Sequence, residues 1–259
     1  MIGMTISIIT PSYNQAPFLR QTIESVLSQA GDFDLEYIVM DGGSTDGTVE
    51  ILKSYGDRIR WTSQRDEGQS AAINEGFRHS TGQIVAWLNA DDLYLPGALD
   101  TIAERFAARP DALWLIGEYQ MIDEQGARIR RIHSTYKNFL IRHYSYRLLL
   151  TENLCPQPSV FFRRSALDRL GFLNEKEFYV MDYEFWLRLG KNGDPIIVER
   201  PLSQFRFHAG SKTQNSQLRE QFGRELELVK SYTAGRPWLY VMHIINFWKT
   251  LIFYRWLKW

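Results

Sequence analysis

The chain has 259 residues, 44% of them hydrophobic, enough for one large α/β domain or two small ones with a substantial core. Its 30 Lys and Arg balance its 30 Asp and Glu, so no global field favours nucleic acid, and the single Cys155 excludes an intramolecular disulfide and gives no zinc cluster. Between Met1 and Pro11 there is no basic start, and Thr5 and Ser7 break the apolar run, so no secretory leader is expected there.

In chain order, residues 6–10 read as a strand closed by Pro11. Residues 18–28 have helical spacing at Leu19, Ile23, Val26 and Leu27, with Pro17 suited to the first turn. A second strand at 37–40 runs into the turn Asp41-Gly42-Gly43-Ser44-Thr45-Asp46-Gly47, followed by a helix at 49–55 and a short strand at 59–62. Residues 70–79 form a helix, 84–88 a fourth strand and 96–108 the next helix. Strand–helix alternation with short connections implies a mostly parallel sheet covered on both faces. Ligands of such sheets gather at the carboxyl ends of the strands, which collects residues 11–14, 41–46, 65–69 and 89–92 at one edge.

The second half is less regular. It is expected to hold a strand at 113–117, a hairpin of 119–123 with 128–132, a helix at 137–150, a strand at 159–162, a helix at 183–189 that Asp182 opens, and strands at 196–198 and 204–207. No repeat or low-complexity linker intervenes, so residues 1–235 read as one continuous domain followed by a tail.

Several residues suit chemistry. Asn89-Ala90-Asp91-Asp92 follows a buried strand; adjacent carboxylates repel unless a cation holds them, and oxygen ligands suit Mg2+ or Mn2+. Capping of the next helix is the plainer account. Asp41 ends a strand and needs a partner, which a nucleobase imide N–H could supply. Asp182, among Tyr179, Tyr183 and Trp186, is either a helix cap or a partly desolvated general base. His208 follows a strand and opens the loop Ala209-Gly210-Ser211-Lys212-Thr213, a place for phosphate or metal contact. Gln157-Pro158 is a rigid turn or part of a substrate wall.

Together these segments resemble the family 2 inverting glycosyltransferases, which have the GT-A fold of nucleotide-diphospho-sugar transferases. The matching pieces are Thr10-Pro11-Ser12-Tyr13-Asn14, the Asp41 to Thr48 turn, Asp66-Glu67-Gly68-Gln69, Asn89-Ala90-Asp91-Asp92, Asp182-Tyr183-Glu184-Phe185-Trp186-Leu187-Arg188 and Phe205-Arg206-Phe207-His208-Ala209-Gly210-Ser211. The resemblance implies a nucleotide-binding half up to about 118 and an acceptor half after it. In it Pro11, Tyr13, Asp41, Arg65 and Asp66 would take the donor nucleotide, and Asp91 would face its ribose or the metal. Asp92 and His208 would hold Mn2+ or Mg2+, Asp182 would be the catalytic base, and Gln157 and Trp186 would face the acceptor. Asp41, Asp92 and Asp182 are expected around one cleft. Asn89 stands where many members have Asp, and Met181 where many have Glu.

The implied reaction is transfer from a nucleotide-diphospho-sugar, by default a UDP-sugar, to a glycan or lipid-linked acceptor in bacterial polysaccharide synthesis at the cytoplasmic face of the inner membrane. The alternatives are a sugar-1-phosphate nucleotidylyltransferase, which would want a Gly/Arg/Lys-rich loop where residues 11–17 stand, and a non-catalytic sugar-nucleotide-binding homologue. The tail from about 236 mixes Trp, Tyr and basic residues, with His243, Asn246, Lys249 and Thr250 on one narrow helical face. It reads as an in-plane membrane helix, a helix docked on the domain or on a second copy, or, last, a span.

Overall fold

The computed structural model describes residues 3–208, 210 and 218–256. Ala209 and the Ser211, Lys212 and Thr213 of the loop after His208 lie outside the described residues. Strand β1 (Met4–Ser12), α1 (Ala16–Leu27), β2 (Phe33–Asp41), α2 (Thr48–Lys53), β3 (Arg60–Ser63), α3 (Gln69–His79) and β4 (Ile84–Trp87) follow the expected alternation. β1 lies between β2 and β4, parallel to both, and β3 pairs parallel with β2.

Successive side chains of a strand face opposite sides, and here both sides are covered. Ile6, Ile8, Tyr37, Val39 and Ala86 pack with Leu19, Ile23 and Val26 of α1. Ile9, Ile38, Met40, Val85 and Trp87 pack with Ala72, Ile73 and Phe77 of α3. Burial on two faces is why these strands read as continuous apolar runs.

The second half comprises β5 (Leu93–Tyr94), α4 (Ala98–Ala108), β6 (Trp114–Ile122), β7 (Arg128–Ile129), α5 (Arg131–Arg142), α6 (Tyr146–Thr151), β8 (Val160–Arg163), α7 (Arg164–Leu170), α8 (Met181–Asn192), β9 (Ile196–Arg206), α9 (Leu218–Tyr232) and α10 (Pro237–Trp256). The sheet order is β3-β2-β1-β4-β8-β6-β9-β5, with β7 on β6. β8 is antiparallel to β4 and β6, β6 and β9 are parallel, and β5 is antiparallel to β9.

Strand β9 differs most from expectation. It runs through Pro201 as one strand, because Pro201 sits opposite Glu118 at a register irregularity where a missing N–H is tolerated. Gly117 permits the bend: a Cβ there would lie 2.2 Å from Leu202 Cδ1. The far half of β9 then pairs with β5, Leu93 opposite Gln204, and so returns beside residues 89–92. The helix expected at 137–150 is two, α5 and α6. The break falls before α6, where Ser145 Oγ accepts the Leu148 N–H at 3.1 Å as a cap.

The tail helix α10 packs on α6 and α9 through the face expected to be polar. Leu239 and His243 are buried. His243 Nε2 lies 3.1 Å from Glu225 Oε1, and Asn246 Nδ2 donates to the Thr151 carbonyl at 3.1 Å. Lys249 Nζ donates to Glu152 Oε2 at 3.1 Å and to Tyr136 Oη. Among the described residues no helix is long and apolar enough to cross a membrane.

Candidate active site

The carboxyl ends of β1, β2 and β3 finish level, with Ser12 opposite Asp41 and Asp41 opposite Ser63. A cleft of about 800 Å3 opens at this edge. Pro11, Tyr13, Gly42, Gly43, Arg65 and Asp66 line it from the strand ends. Trp87, Asn89 and Asp91 line it from the end of β4 and the loop that follows, and Gln157, Tyr179, Met181, Asp182, Tyr183 and Glu225 line it from the second half of the chain.

Asp41 is not on the lining. It is 2% exposed. Its Oδ2 accepts the N–H groups of Gly43 (3.2 Å) and Ser44 (2.9 Å) and the Ser63 hydroxyl (2.6 Å). Its Oδ1 accepts the Ser44 hydroxyl at 2.5 Å. These donors supply the partner that the sequence left open, and they shape the loop that carries Gly42 and Gly43 into the cleft. Gly42 lies close to Asp66: a Cβ would sit 2.8 Å from Asp66 Oδ2, so the Asp66 side chain would have to shift to admit one. Asn14, at φ 51°, braces this loop against the end of β1. Its N–H donates to Ser44 Oγ at 2.7 Å and its Oδ1 accepts the Thr45 N–H at 3.0 Å. Tyr13 is left 64% exposed over the cleft.

The adjacent acids part company. Asp91 lines the cleft, and its Oδ2 is 2.9 Å from His208 Nε2. Asp92 is fully buried; its Oδ1 accepts the Arg206 N–H at 2.8 Å, and Asn89 Nδ2 faces its Oδ2 at 3.4 Å. The sequence expectation that Asp92 carries the metal is therefore corrected: its carboxylate points into the protein, and Asp91 is the acid that reaches the cleft. Asn89 in place of Asp also has a local reason. Its amide N–H2 donates to Gln157 Oε1 at 3.0 Å as well as facing Asp92, while its Oδ1 accepts from Gln69 Nε2 at 2.7 Å. An aspartate here would set another carboxylate against Asp92.

Burial first, and then the Asp91 charge, hold the Asp92 carboxyl well above the usual carboxylate range. A pKa raised on folding contributes stability that is complete below the unfolded value and drains away as pH rises through the folded one. Asp92→Asn keeps an oxygen for the Arg206 N–H and cannot ionise. Thermal melts from acid to neutral pH should show the variant gaining on wild type as pH rises; parallel curves would show that Asp92 does not titrate this way.

Arg206 is the site residue that sequence reasoning passed over. Its side chain is wholly buried. Nε donates to the Asp91 carbonyl (2.9 Å), Nη1 to the carbonyls of Asp123 (3.1 Å) and Glu124 (2.9 Å), and Nη2 to Gln21 Oε1 (2.7 Å). It ties the acidic loop to the β6–β7 turn and to α1. The available signal was a charge inside the alternating run Phe205-Arg206-Phe207, at the position facing inward.

On the other side, Asp182 sits in the first turn of α8, half-buried, with its Oδ1 accepting the Tyr183 N–H at 2.7 Å. Burial, and then the Asp182 charge, push the Cys155 thiol well above its ordinary value, so it stays protonated beside the acid. Trp186 does not face an acceptor: α8 enters the core after its first turn, and Trp186 stacks on Trp87 at 5.2 Å, fully buried. Gln157 lines the cleft but is tied down, with Nε2 donating to the Trp87 carbonyl at 2.7 Å. Met181 is buried against the Ser70 hydroxyl of α3. Glu184 and Arg188 of the same motif form an ion pair at 2.7 Å that anchors the Leu170 to Phe172 carbonyls.

Asp91 and His208 are a carboxylate and an imidazole already in contact. Among the described residues no cluster of three acidic, His or Cys side chains stands ready to cage an ion. This donor pair fits an ion that completes its shell with substrate oxygens and water, as Mg2+ does.

The sequence profile of Glycosyl transferase family 2 matches residues 7–171. A glycosyltransferase of Rickettsia felis is 29% identical over 214 residues, covering 80% of this chain; the chain spans only 35% of that relative's length. S. aureus TarS in complex with UDP-GlcNAc superposes with a TM-score of 0.69 at 18% identity, over 88% of this chain and 66% of the other. The mannosyltransferase PcManGT from Pyrobaculum calidifontis, in complex with GDP-Man and Mn2+, gives a TM-score of 0.63 at 22% identity, over 88% and 64%. The shared architecture is GT-A.

Proposed function

Because the chain belongs to glycosyltransferase family 2, we propose that it moves a sugar from a nucleoside-diphospho-sugar to a hydroxyl of a glycan or lipid-linked acceptor, with inversion at the anomeric carbon. The observation that carries this reading is one cleft lined both by Asp91, from the first half of the chain and in contact with His208, and by Asp182, from the second half. Membership of this family replaces the nucleotidylyltransferase alternative.

Pro11, Tyr13, Arg65 and Asp66 take the nucleoside at the strand ends, the exposed Tyr13 ring offering its face to the base. Asp41 acts from behind, by holding the Gly42–Gly43 loop. Asp91 and His208 hold the divalent ion, Mn2+ or Mg2+. When bound, the ion offsets charge that builds on the departing diphosphate. Asp182 takes the proton of the attacking hydroxyl. One carboxylate and a single displacement invert the centre. Uridine is the base we propose, in keeping with TarS, and the setting is bacterial surface-polysaccharide or lipid-linked oligosaccharide assembly. A donor with several charges does not cross a bilayer unaided, which puts the reaction on the cytoplasmic face.

A thermal-shift screen of UDP- and GDP-sugars with and without Mn2+ tests the reading. Wild type should be stabilised by one donor, more strongly with Mn2+. Asp91→Ala and His208→Ala should each lose most of the metal-dependent part while keeping their own melting temperature near wild type. If Mn2+ adds the same stabilisation to both variants as to wild type, this pair does not hold the ion.

A further inference from the structure

Helix α10 docks through His243, Asn246 and Lys249 together with Leu239 and Phe247, and leaves a second apolar stripe outward. His243 lies against Glu225, and Asn246 and Lys249 donate to the Thr151 carbonyl and to Glu152. Exposed are Trp238 (54%), Val241 (52%), Met242 (41%), Ile245 (53%) and Trp248 (55%), the last with its ring edge-on to Phe222 of α9 at 6.2 Å. Steps of three and four residues keep them on one stripe of the helix. A contiguous apolar stripe on a helix whose polar residues are already used needs a cover.

The charge distribution chooses the cover. By sequence, residues 228–259 hold five of the chain's Lys and Arg and none of its Asp and Glu, so the remainder is net acidic by the same amount. Two copies joined through this stripe would bring two basic segments together. An anionic lipid surface would instead complement them, and Trp at both ends of the stripe suits the boundary between headgroups and acyl chains. We propose that α10 lies in the plane of an anionic bilayer, its stripe in the headgroup region and its polar face still on the domain. Glu225, the partner of His243, lines the cleft, so the seated helix adjoins the side of the cleft that carries Asp182. The proposal stands or falls independently of the transfer chemistry.

Flotation of the full chain with vesicles of phosphatidylcholine alone, or mixed with phosphatidylglycerol, tests it. The chain should float with the anionic vesicles, far less with the neutral ones, and less again in high salt. Val241→Glu combined with Ile245→Glu should cut the bound fraction at least about tenfold with an unchanged melting temperature, because both side chains are outward. Equal flotation of variant and wild type would overturn the proposal. So would wild type that ignores anionic vesicles, or a stable dimer in light scattering that the double substitution splits. Should the double variant melt early, wild type decides alone: lipids brominated near the headgroup should quench its tryptophan emission, and no quenching would count against the lipid seat.

Discussion

Asp182→Asn is expected to lower turnover by roughly 10²–10⁴-fold while leaving donor affinity near the wild-type value, the range that a positioned general base supplies. The substitution is nearly isosteric, and an Asn oxygen can still accept the Tyr183 N–H that Asp182 Oδ1 accepts at 2.7 Å. Neither the first turn of α8 nor the core beyond it should notice. What disappears is an anionic acceptor for the hydroxyl proton. The donor contacts proposed for Pro11, Tyr13, Arg65 and Asp66, which line the cleft from the strand ends, are untouched. Nucleoside diphosphate release with acceptor present measures turnover, and calorimetry with donor measures affinity. Near-wild-type turnover would remove Asp182 from the role of base. Failure of wild type itself to release nucleotide from any donor would favour a binding protein without catalysis.

Arg206→Met should be the most destabilising single change at the site, by roughly 3–5 kcal/mol, the usual result of removing one partner from a buried charged network. Burial already pulls the guanidinium below its ordinary pKa, and the charges of Asp92, Asp91 and Asp123 oppose that pull. Methionine fills similar volume but leaves the carbonyls of Asp91, Asp123 and Glu124 without their donor. At about 2–4 °C per kcal/mol for a chain of this size, the melting temperature should fall by roughly 10 °C. Arg206→Lys should recover only part, since an ammonium keeps the charge but not the planar fork that reaches several carbonyls at once. Asp91 and His208 should also lose their mutual placement, so metal-dependent donor stabilisation should fall with stability. A methionine variant that melts within a degree or two of wild type would show that the clamp is not structural.

The first half of the fold was legible because its signals are local. Apolar runs bounded by Pro11, the Gly42–Gly43 turn and Asn89 identified β1, β2 and β4, and short connections implied parallel pairing. The rule about carboxyl ends then drew the right loops together. The second half was less legible because its strands take partners distant in the chain. β9 hid behind Pro201, and the charged helix α9 behind a weak apolar pattern.

Composition and local pattern by themselves determined the class of fold, the edge of the sheet where the cleft opens, and the short roll of acids and aromatics from which a site could be drawn. They could not say which of two neighbouring carboxylates reaches the cleft, because orientation at a strand end depends on what packs behind it. Only the return of β9 settled that, by setting the Arg206 N–H against Asp92 and His208 against Asp91. The same holds for Trp186, on the face of Asp182 by helical period yet buried because α8 dives beneath Trp87, and for α10, whose inward side was decided by Glu225, Thr151 and Glu152 waiting for polar partners. Periodicity tells which residues share a face; the surface that a face meets is a property of segments far away in the chain.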